Sequence, residues 1–425
     1  MEGKLHPLAG HPVRVADGLW TLPGERAQAV LSPRAASVCL WSDVDLRVYA
    51  WPSLAPRRAT STPVAGRLRS LCWADEQTLL GVVDGVHGVT VVRWDADGGE
   101  RLDAATLPPL AAAPHGLQVA PSGDWIVVAA DVVCTGNARA MDDVSSWPVS
   151  LRHTLDDEEA VSARASTDLT AWLSPDGDRA FVHDDGWPGV LDLRRGAIAR
   201  CRDEYDWFRG RLERVRWLRH TELLCEWTHG GRRRMRFYDL DPPGTSAEFE
   251  PNLAVAGREL ADTFLCDPAG EHVLAAWIRP TGPQRWLRGN LWRVDVDEGV
   301  WTTRGTATPT PGAGRIVDAA WCEGRVLLAE LRGRGGQGAC HLTLDAGGPD
   351  ARPLVPSTAM AYDDLRVDAV GRSAVVRATN LRRGGVGSAV KTWLVEVDVA
   401  LANAPGEQVP ERDGEFSVRG RAPGG

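Results

Sequence analysis

Leu169-Thr170-Ala171-Trp172-Leu173-Ser174-Pro175-Asp176-Gly177, continued as far as Cys201, carries one complete copy of the pattern on which this chain is built. A short apolar run is halted by Ser-Pro-Asp-Gly, where proline fixes φ and glycine supplies the positive φ of a tight turn. Ala180-Phe181-Val182-His183 is a second run, closed by Asp184-Asp185-Gly186. Gly189 to Leu193 is a third; Arg195-Gly196 turns the chain into a fourth, Ala197 to Cys201. The runs are short, turn-bounded and without helical periodicity, so the unit reads as four antiparallel strands, a to d.

The third run ends in aspartate, and that ending recurs along the chain. Copies are Val91-Val92-Arg93-Trp94-Asp95, Arg236-Phe237-Tyr238-Asp239, Leu291-Trp292-Arg293-Val294-Asp295, His341-Leu342-Thr343-Leu344-Asp345 and Trp393-Leu394-Val395-Glu396-Val397-Asp398. Consecutive copies lie roughly 50 residues apart, the spacing of propeller blades. One such sheet cannot bury both faces alone, so the period implies units packed side by side. Strand a of the other units begins near Ala29, Leu68, Gly116, Leu212, Leu260, Ile316 and Leu365. The expected fold is all-β, a single closed β-propeller of eight four-stranded blades, with seven as the alternative. Seven arises because the units at Ala29 and Gly116 lack the terminal aspartate, and the second reads as carrying an insertion between Asp131 and Ser146. Residues 1–28 are expected to hold a ring-closing strand, 29–410 the propeller and 411–425 a partly disordered tail. Val13-Arg14-Val15 and Leu19 to Leu22 are spare, and pairing with the final strand c, Val390 to Val397, is expected; Glu415 to Val418 is the weaker candidate.

Composition narrows the function classes. The chain has 425 residues, 43% of them hydrophobic, and a formal net charge of −9. That charge opposes general nucleic-acid binding and favours a soluble protein. Met1 to Trp20 contains no leader-like apolar stretch and no run is long enough to span a membrane, so the expected location is cytoplasmic. Eighteen tryptophans outnumber four tyrosines and six phenylalanines; a large ring suits the wedge between adjacent sheets. Cys39, Cys72, Cys225, Cys266 and Cys322 sit in or beside apolar runs, as reduced structural thiols do.

The turn Ser174-Pro175-Asp176-Gly177, with the later Leu191-Asp192-Leu193-Arg194-Arg195-Gly196, resembles blades of the bacterial TolB-like and WD40-like propeller families. Trp94-Asp95 stands where WD40 repeats carry their namesake dipeptide. The resemblance implies a fold and a habit of binding partners rather than a chemistry. Chains of this kind also resemble the propeller partners of MoxR ATPase–von Willebrand A systems, which implies a partner from a multi-gene ATPase system.

Signatures of catalysis are missing. Gly385-Val386-Gly387-Ser388 lacks the spacing of a nucleophile elbow, and Gly333 to Gly338 reads as a flexible hairpin turn rather than a phosphate cradle. The histidines do not pair at metal spacing, and His183 and His341 fall on strands. Asp156-Asp157-Glu158-Glu159 lacks the alternating ligands of a calcium loop and reads as a solvated c–d turn. No catalytic residue, metal or cofactor is expected.

What remains is a charge pattern. In antiparallel four-stranded units the b–c loops and d–a connections share one edge. In units one to four this edge carries Asp43, Asp45, Asp84, Asp142, Asp143, Asp184 and Asp185, followed by Asp203, Glu204 and Asp206. In units five to eight it carries Arg232, Arg233, Arg279, Arg285, Arg288, Arg332, Arg334, Arg382 and Arg383. Trp147, Trp187, Trp207 and Trp286 lie within or beside these loops. Arginine forks on glycine-rich loops suit carboxylates or phosphates, and exposed aromatics suit an interface centre. The expected function is a non-catalytic scaffold docking a protein partner on a charge-split face. The alternatives are a lyase or hydrolase at the central channel, and RNA or polyanion binding by the arginines.

Overall fold

The computed structural model describes residues 7–23, 27–57, 62–97, 100–110, 112–149, 169–184, 187–200, 211–217, 222–229, 232–240, 243–249, 263–266, 272–278, 287–295, 300–306, 315–322, 325–332, 339–344, 352–353, 364–380 and 389–397. These form eight antiparallel sheets, seven four-stranded and one five-stranded. Sheets 1 to 8 are numbered along the chain, and the a strands are Gln28–Leu31, Arg67–Trp73, His115–Val119, Thr170–Leu173, Arg211–Trp217, Thr263–Cys266, Arg315–Cys322 and Asp364–Val370. Every one starts within three residues of its expected position. Sheets 1 to 7 are simple meanders in the order a-b-c-d.

Sheet 8 is built from both ends of the chain. Its strands a, b and c are Asp364–Val370, Ser373–Asn380 and Ala389–Glu396, and its outer edge is the hairpin Val13–Ala16 and Leu19–Thr21. Leu19 lies opposite Val395, Trp20 opposite Leu394 and Thr21 opposite Trp393. The sequence pattern suggests one added strand; two are present, and only the second touches strand c.

Two corrections concern the third unit. Val132–Asn137 and Ala140–Pro148 are its strands c and d, so Asp131 to Ser146 is regular sheet and not an insertion. The acidic run Asp156 to Glu159 therefore comes after strand d in sequence and is not a c–d turn; the run itself lies outside the described residues, as does the tail.

The core is a series of layers between consecutive sheets, and alternation along strand b shows why. In sheet 2, Leu79 and Val83 join the cluster shared with sheet 1, while Leu80 and Val82 join the cluster shared with sheet 3. Successive side chains point to opposite faces, and both faces are covered, so the strand reads as a continuous apolar run. Further clusters join sheets 3 and 4, 4 and 5, 7 and 8, and 8 and 1. Gly81 has to be glycine: a Cβ there would meet the Trp94 ring at 2.7 Å and Leu68 at 2.8 Å. Each fully buried aliphatic side chain contributes about 1.5–3 kcal/mol to this packing.

The a–b turn of sheet 4 is closed by Gly177 N–H to Ser174 O at 3.0 Å, with Gly177 at φ 80°. The Ser174 hydroxyl accepts from Arg179 N–H at 3.0 Å. Sheet 1 repeats this turn as Ser32-Pro33-Arg34-Ala35, with Ser37 N–H on the Ser32 hydroxyl at 3.0 Å and Ala35 at φ 53°. The aspartates that end strand c act locally too. Asp192 Oδ1 accepts from Arg194 N–H and Arg195 N–H at 2.9 and 3.0 Å, fixing the adjoining turn. In sheet 3 Asn137 replaces the aspartate and accepts from Arg139 N–H at 2.8 Å.

Cys39, Cys72, Cys134, Cys225 and Cys322 are free thiols. Desolvation pushes Cys72 up to about 12 and Cys134 to about 11. Such thiols are hydrophobic filling, not nucleophiles. Among the described residues no helix is long and apolar enough to cross a membrane, and no cluster of three His, Cys, Asp or Glu could hold a metal.

Candidate functional site

The edge shared by b–c turns and strand a starts carries the charge pattern. On sheets 1 and 2 its acids are engaged within the protein. Asp45 is buried, and its Oδ1 accepts from the Ser42 hydroxyl at 2.5 Å and from Leu8 N–H at 3.0 Å. Asp84 Oδ2 receives two donors from Arg69, Nε at 3.2 Å and a terminal nitrogen at 2.5 Å. Asp43 lies 3.8 Å from Arg67 Nε, a looser ion pair. Asp184 ends strand b of sheet 4 and is buried. Asp142 and Asp143 are exposed but belong to strand d of sheet 3, away from the b–c turn at Ala130-Asp131 and so not where the sequence pattern places them. Asp43 and Asp84 thus fasten Arg67 and Arg69 of strand a of sheet 2, while Asp45 is bound to Ser42 and Leu8.

The arginines are arranged differently. Arg232 and Arg233 open strand c of sheet 5, opposite His229 and Thr228. Arg288 is the second residue of strand c of sheet 6, opposite Trp277. Arg332 closes strand b of sheet 7, opposite Ala339. Three successive sheets therefore present arginine at the same edge. Arg332 and Ala339 pair across the gap, while Gly333 to Gly338 lie outside the described residues. Arg279, Arg285, Arg334, Arg382, Arg383, Asp185, Trp207 and Trp286 lie outside the described residues. Trp187 opens strand c of sheet 4, opposite Asp184. Trp147 packs over the next sheet, so closely that a Cβ at Gly196 would collide with its ring.

A further pattern on the inner strands is not visible in any one unit of the sequence. Arg67-Leu68-…-Trp73, Arg211-Leu212-…-Trp217 and Arg315-Ile316-…-Trp321 share one spacing, on strand a of sheets 2, 5 and 7. Each carries a bulge at the same place, with the register shifting between Leu68 and Ser70, Leu212 and Arg214, and Ile316 and Asp318. A bulge inserts one residue and re-aims its side chain; Arg69 is such an inserted residue. Trp73 Nε1 donates to Val30 O and Trp217 Nε1 to Trp172 O, both at 3.1 Å. In each case the acceptor is the third residue of strand a of the preceding sheet. Gln118 and Asp318 reach forward instead, accepting from Leu173 N–H and Val367 N–H of the next sheet at 2.9 Å each. Aligning the three Arg-to-Trp spacings is the signal that reveals this. The first arginine of each lies at the b–c edge: Arg211 and Arg233 both face Thr228 from either side.

No family model matches the chain, and no curated protein matches it by sequence. Among solved structures it is similar to the Cps50 (Swd1) β-propeller domain of Myceliophteria thermophila, at 10% identity and TM-score 0.44 over 89% of this chain and 99% of that one. It is also similar to a eukaryotic initiation factor, at 11% identity and TM-score 0.49 over 89% of each. Hydrazine synthase of Kuenenia stuttgartiensis matches at 13% identity and TM-score 0.41, over 74% of this chain and 93% of that one.

Proposed function

We propose that the eight sheets close into one propeller ring and that the chain is a non-catalytic scaffold, docking an acidic face of a protein partner on the arginine edge of sheets 5 to 8. Support for closure comes from the N-terminal hairpin completing the last sheet, which in turn packs on the first. The docking reading rests on one observation: Arg232, Arg233, Arg288 and Arg332 share an edge on successive sheets, while the acids of sheets 1 and 2 are engaged with their own neighbours. Guanidinium forks at a rim recognise carboxylates and speed encounter. The resemblance to the propeller partners of MoxR ATPase–von Willebrand A systems directs the search for that partner to a multi-gene ATPase system.

The test uses a partner captured from the source organism, with and without nuclease. Titration of wild type and Arg332→Glu/Arg334→Glu at two ionic strengths should show binding weakened about tenfold or more, with a slower on-rate and a flatter salt dependence. Melting should change little, since exposed charges contribute about 1 kcal/mol or less. Equal affinities at both salts would move the interface to the opposite edge. Loss of the partner on nuclease treatment would replace it with a nucleic acid.

A further inference from the structure

Ahead of its first strand the chain is fastened to sheet 1. Residues 7–12, Pro7-Leu8-Ala9-Gly10-His11-Pro12, form no strand, yet they lie along strand c of that sheet, Asp45–Ala50. Asp45, Arg47 and Tyr49 are alternate residues of strand c and so share one face. Each holds one residue of the segment. Asp45 Oδ1 accepts from Leu8 N–H at 3.0 Å, and a terminal nitrogen of Arg47 donates to Gly10 O at 2.9 Å. The Tyr49 hydroxyl and His11 Nδ1 share a hydrogen bond at 2.9 Å. The Leu8 side chain is buried in the cluster between sheets 8 and 1, while Pro7, Ala9 and His11 stay exposed.

These contacts have the form of peptide recognition. Two side chains read main-chain groups, the N–H of one residue and the C=O of another, and an apolar pocket takes a leucine. Proline at each end has no N–H to give to a sheet, and the residue before a proline is driven to extended backbone. The segment is thereby kept straight and left to side chains to hold. Gly10 is at φ 143°, where an L side chain is strained, so this backbone path selects glycine two residues after the leucine. Sheet 1 keeps its own ladder without the segment. Strand c pairs along its length with strand b, Ser37–Trp41, and on its other edge with Thr62–Pro63 and with Arg57 N–H, which donates to Val48 O. The segment can leave without breaking a bond of that ladder.

We propose that this face of sheet 1 is a groove for an extended Leu-x-Gly peptide of a partner protein, and that residues 7–12 occupy it as an intramolecular competitor. The groove is independent of the arginine edge of sheets 5 to 8. An incoming peptide puts its leucine in the pocket of Leu8, gives an N–H to Asp45 and a C=O to Arg47, and displaces the segment as far as Pro12. The tethered competitor acts at an effective concentration of about millimolar, so a peptide enters only when it binds well or is held nearby by a larger interface.

The experiment uses the full chain and a synthetic peptide of residues 7–12, capped at both ends and carrying a fluorophore, with binding followed by anisotropy. Leu8→Asp in the chain opens the groove by removing the side chain that fills it. Gly10→Val opens it independently, by straining the backbone. Both opened chains should bind the peptide saturably, and wild type at least about tenfold more weakly, because its own segment competes. Peptides carrying Leu8→Asp or Gly10→Val should lose about tenfold or more in affinity for either opened chain. Adding Arg47→Gln to the Leu8→Asp chain should weaken the unaltered peptide several-fold. Near-ultraviolet circular dichroism of both opened chains should match wild type. The proposal is overturned if folded, opened chains do not bind, if wild type binds as tightly as they do, or if the altered peptides bind as well as the unaltered one. Loss of native dichroism in both opened chains would overturn it too, by making the segment an inseparable part of the core.

Discussion

Sheet 8 has two neighbours and meets them by different means. Toward sheet 7 its face is Val367, Val376, Ala378, Trp393 and Val395, all buried against Ala320, Leu327, Ala329 and Leu342, with a buried backbone bond from Val367 N–H to Asp318 Oδ2 at 2.9 Å. Toward sheet 1 the contact is studded with directional bonds: Trp51 Nε1 to the Ser373 hydroxyl at 2.6 Å, Thr392 to Ala27 O, and Arg377 to Gln28. Apolar packing has no preferred direction, and with that one bond it suffices where a short connection already delivers strand a of sheet 8 beside sheet 7. Sheets 8 and 1 come from opposite ends of the chain, and hydrogen bonds there select one alignment from many.

The comparison breaks most visibly if the hairpin is removed. Deleting residues 1–25 takes Leu19 and Leu22 out of two cores and leaves strand c of sheet 8 with a bare edge. Most of the protein should then sediment as aggregate; a soluble, monomeric deletion with unchanged melting temperature would show that the hairpin is dispensable.

Next in size is Trp393→Ala, which empties the apolar side. A loss of about 3–5 kcal/mol is expected in urea unfolding. Thr392→Val, one residue away and on the other face, should cost about 1–3 kcal/mol, because it leaves the Ala27 carbonyl without its donor. If Thr392→Val costs as much as Trp393→Ala, the two faces do not differ as described.

The smallest effect sharpens the sheet 1 side. Ala35 holds φ 53° where sheet 4 has Gly177. Ala35→Gly relieves roughly 1–2 kcal/mol of left-handed strain and gives back about half of it in chain entropy. The melting temperature should rise by about 1 °C, read by calorimetry.

Much of this architecture is legible because local chemistry and tertiary role agree. Asp192 both ends an apolar strand and bonds the next turn, so its recurrence marks the units. The third unit misleads because Asn137 performs the same bond under another letter. The first unit's turn is hidden because Ala35 occupies the glycine position. The acid half of the edge misleads for a deeper reason. Strict alternation assigns Arg69 to one face, but the bulge beside it breaks the alternation and brings it to Asp84. A bulge depends on pairing across strands, which no single strand reveals. Arg232, Arg233, Arg288 and Arg332 are legible because strand ends are set directly by turn chemistry.

The pairing of Leu19 with Val395 also sets a schedule for synthesis. The hairpin strand emerges from the ribosome long before its partner. At about 5–20 residues per second the wait is roughly 20 seconds to more than a minute. Through that interval Trp51 and the first sheet can already cover Trp20, but the hairpin's inner edge has no native strand to pair with. A chain that stops before Ala389 lacks the strand with which Leu19, Trp20 and Thr21 pair, and so keeps one sheet edge bare.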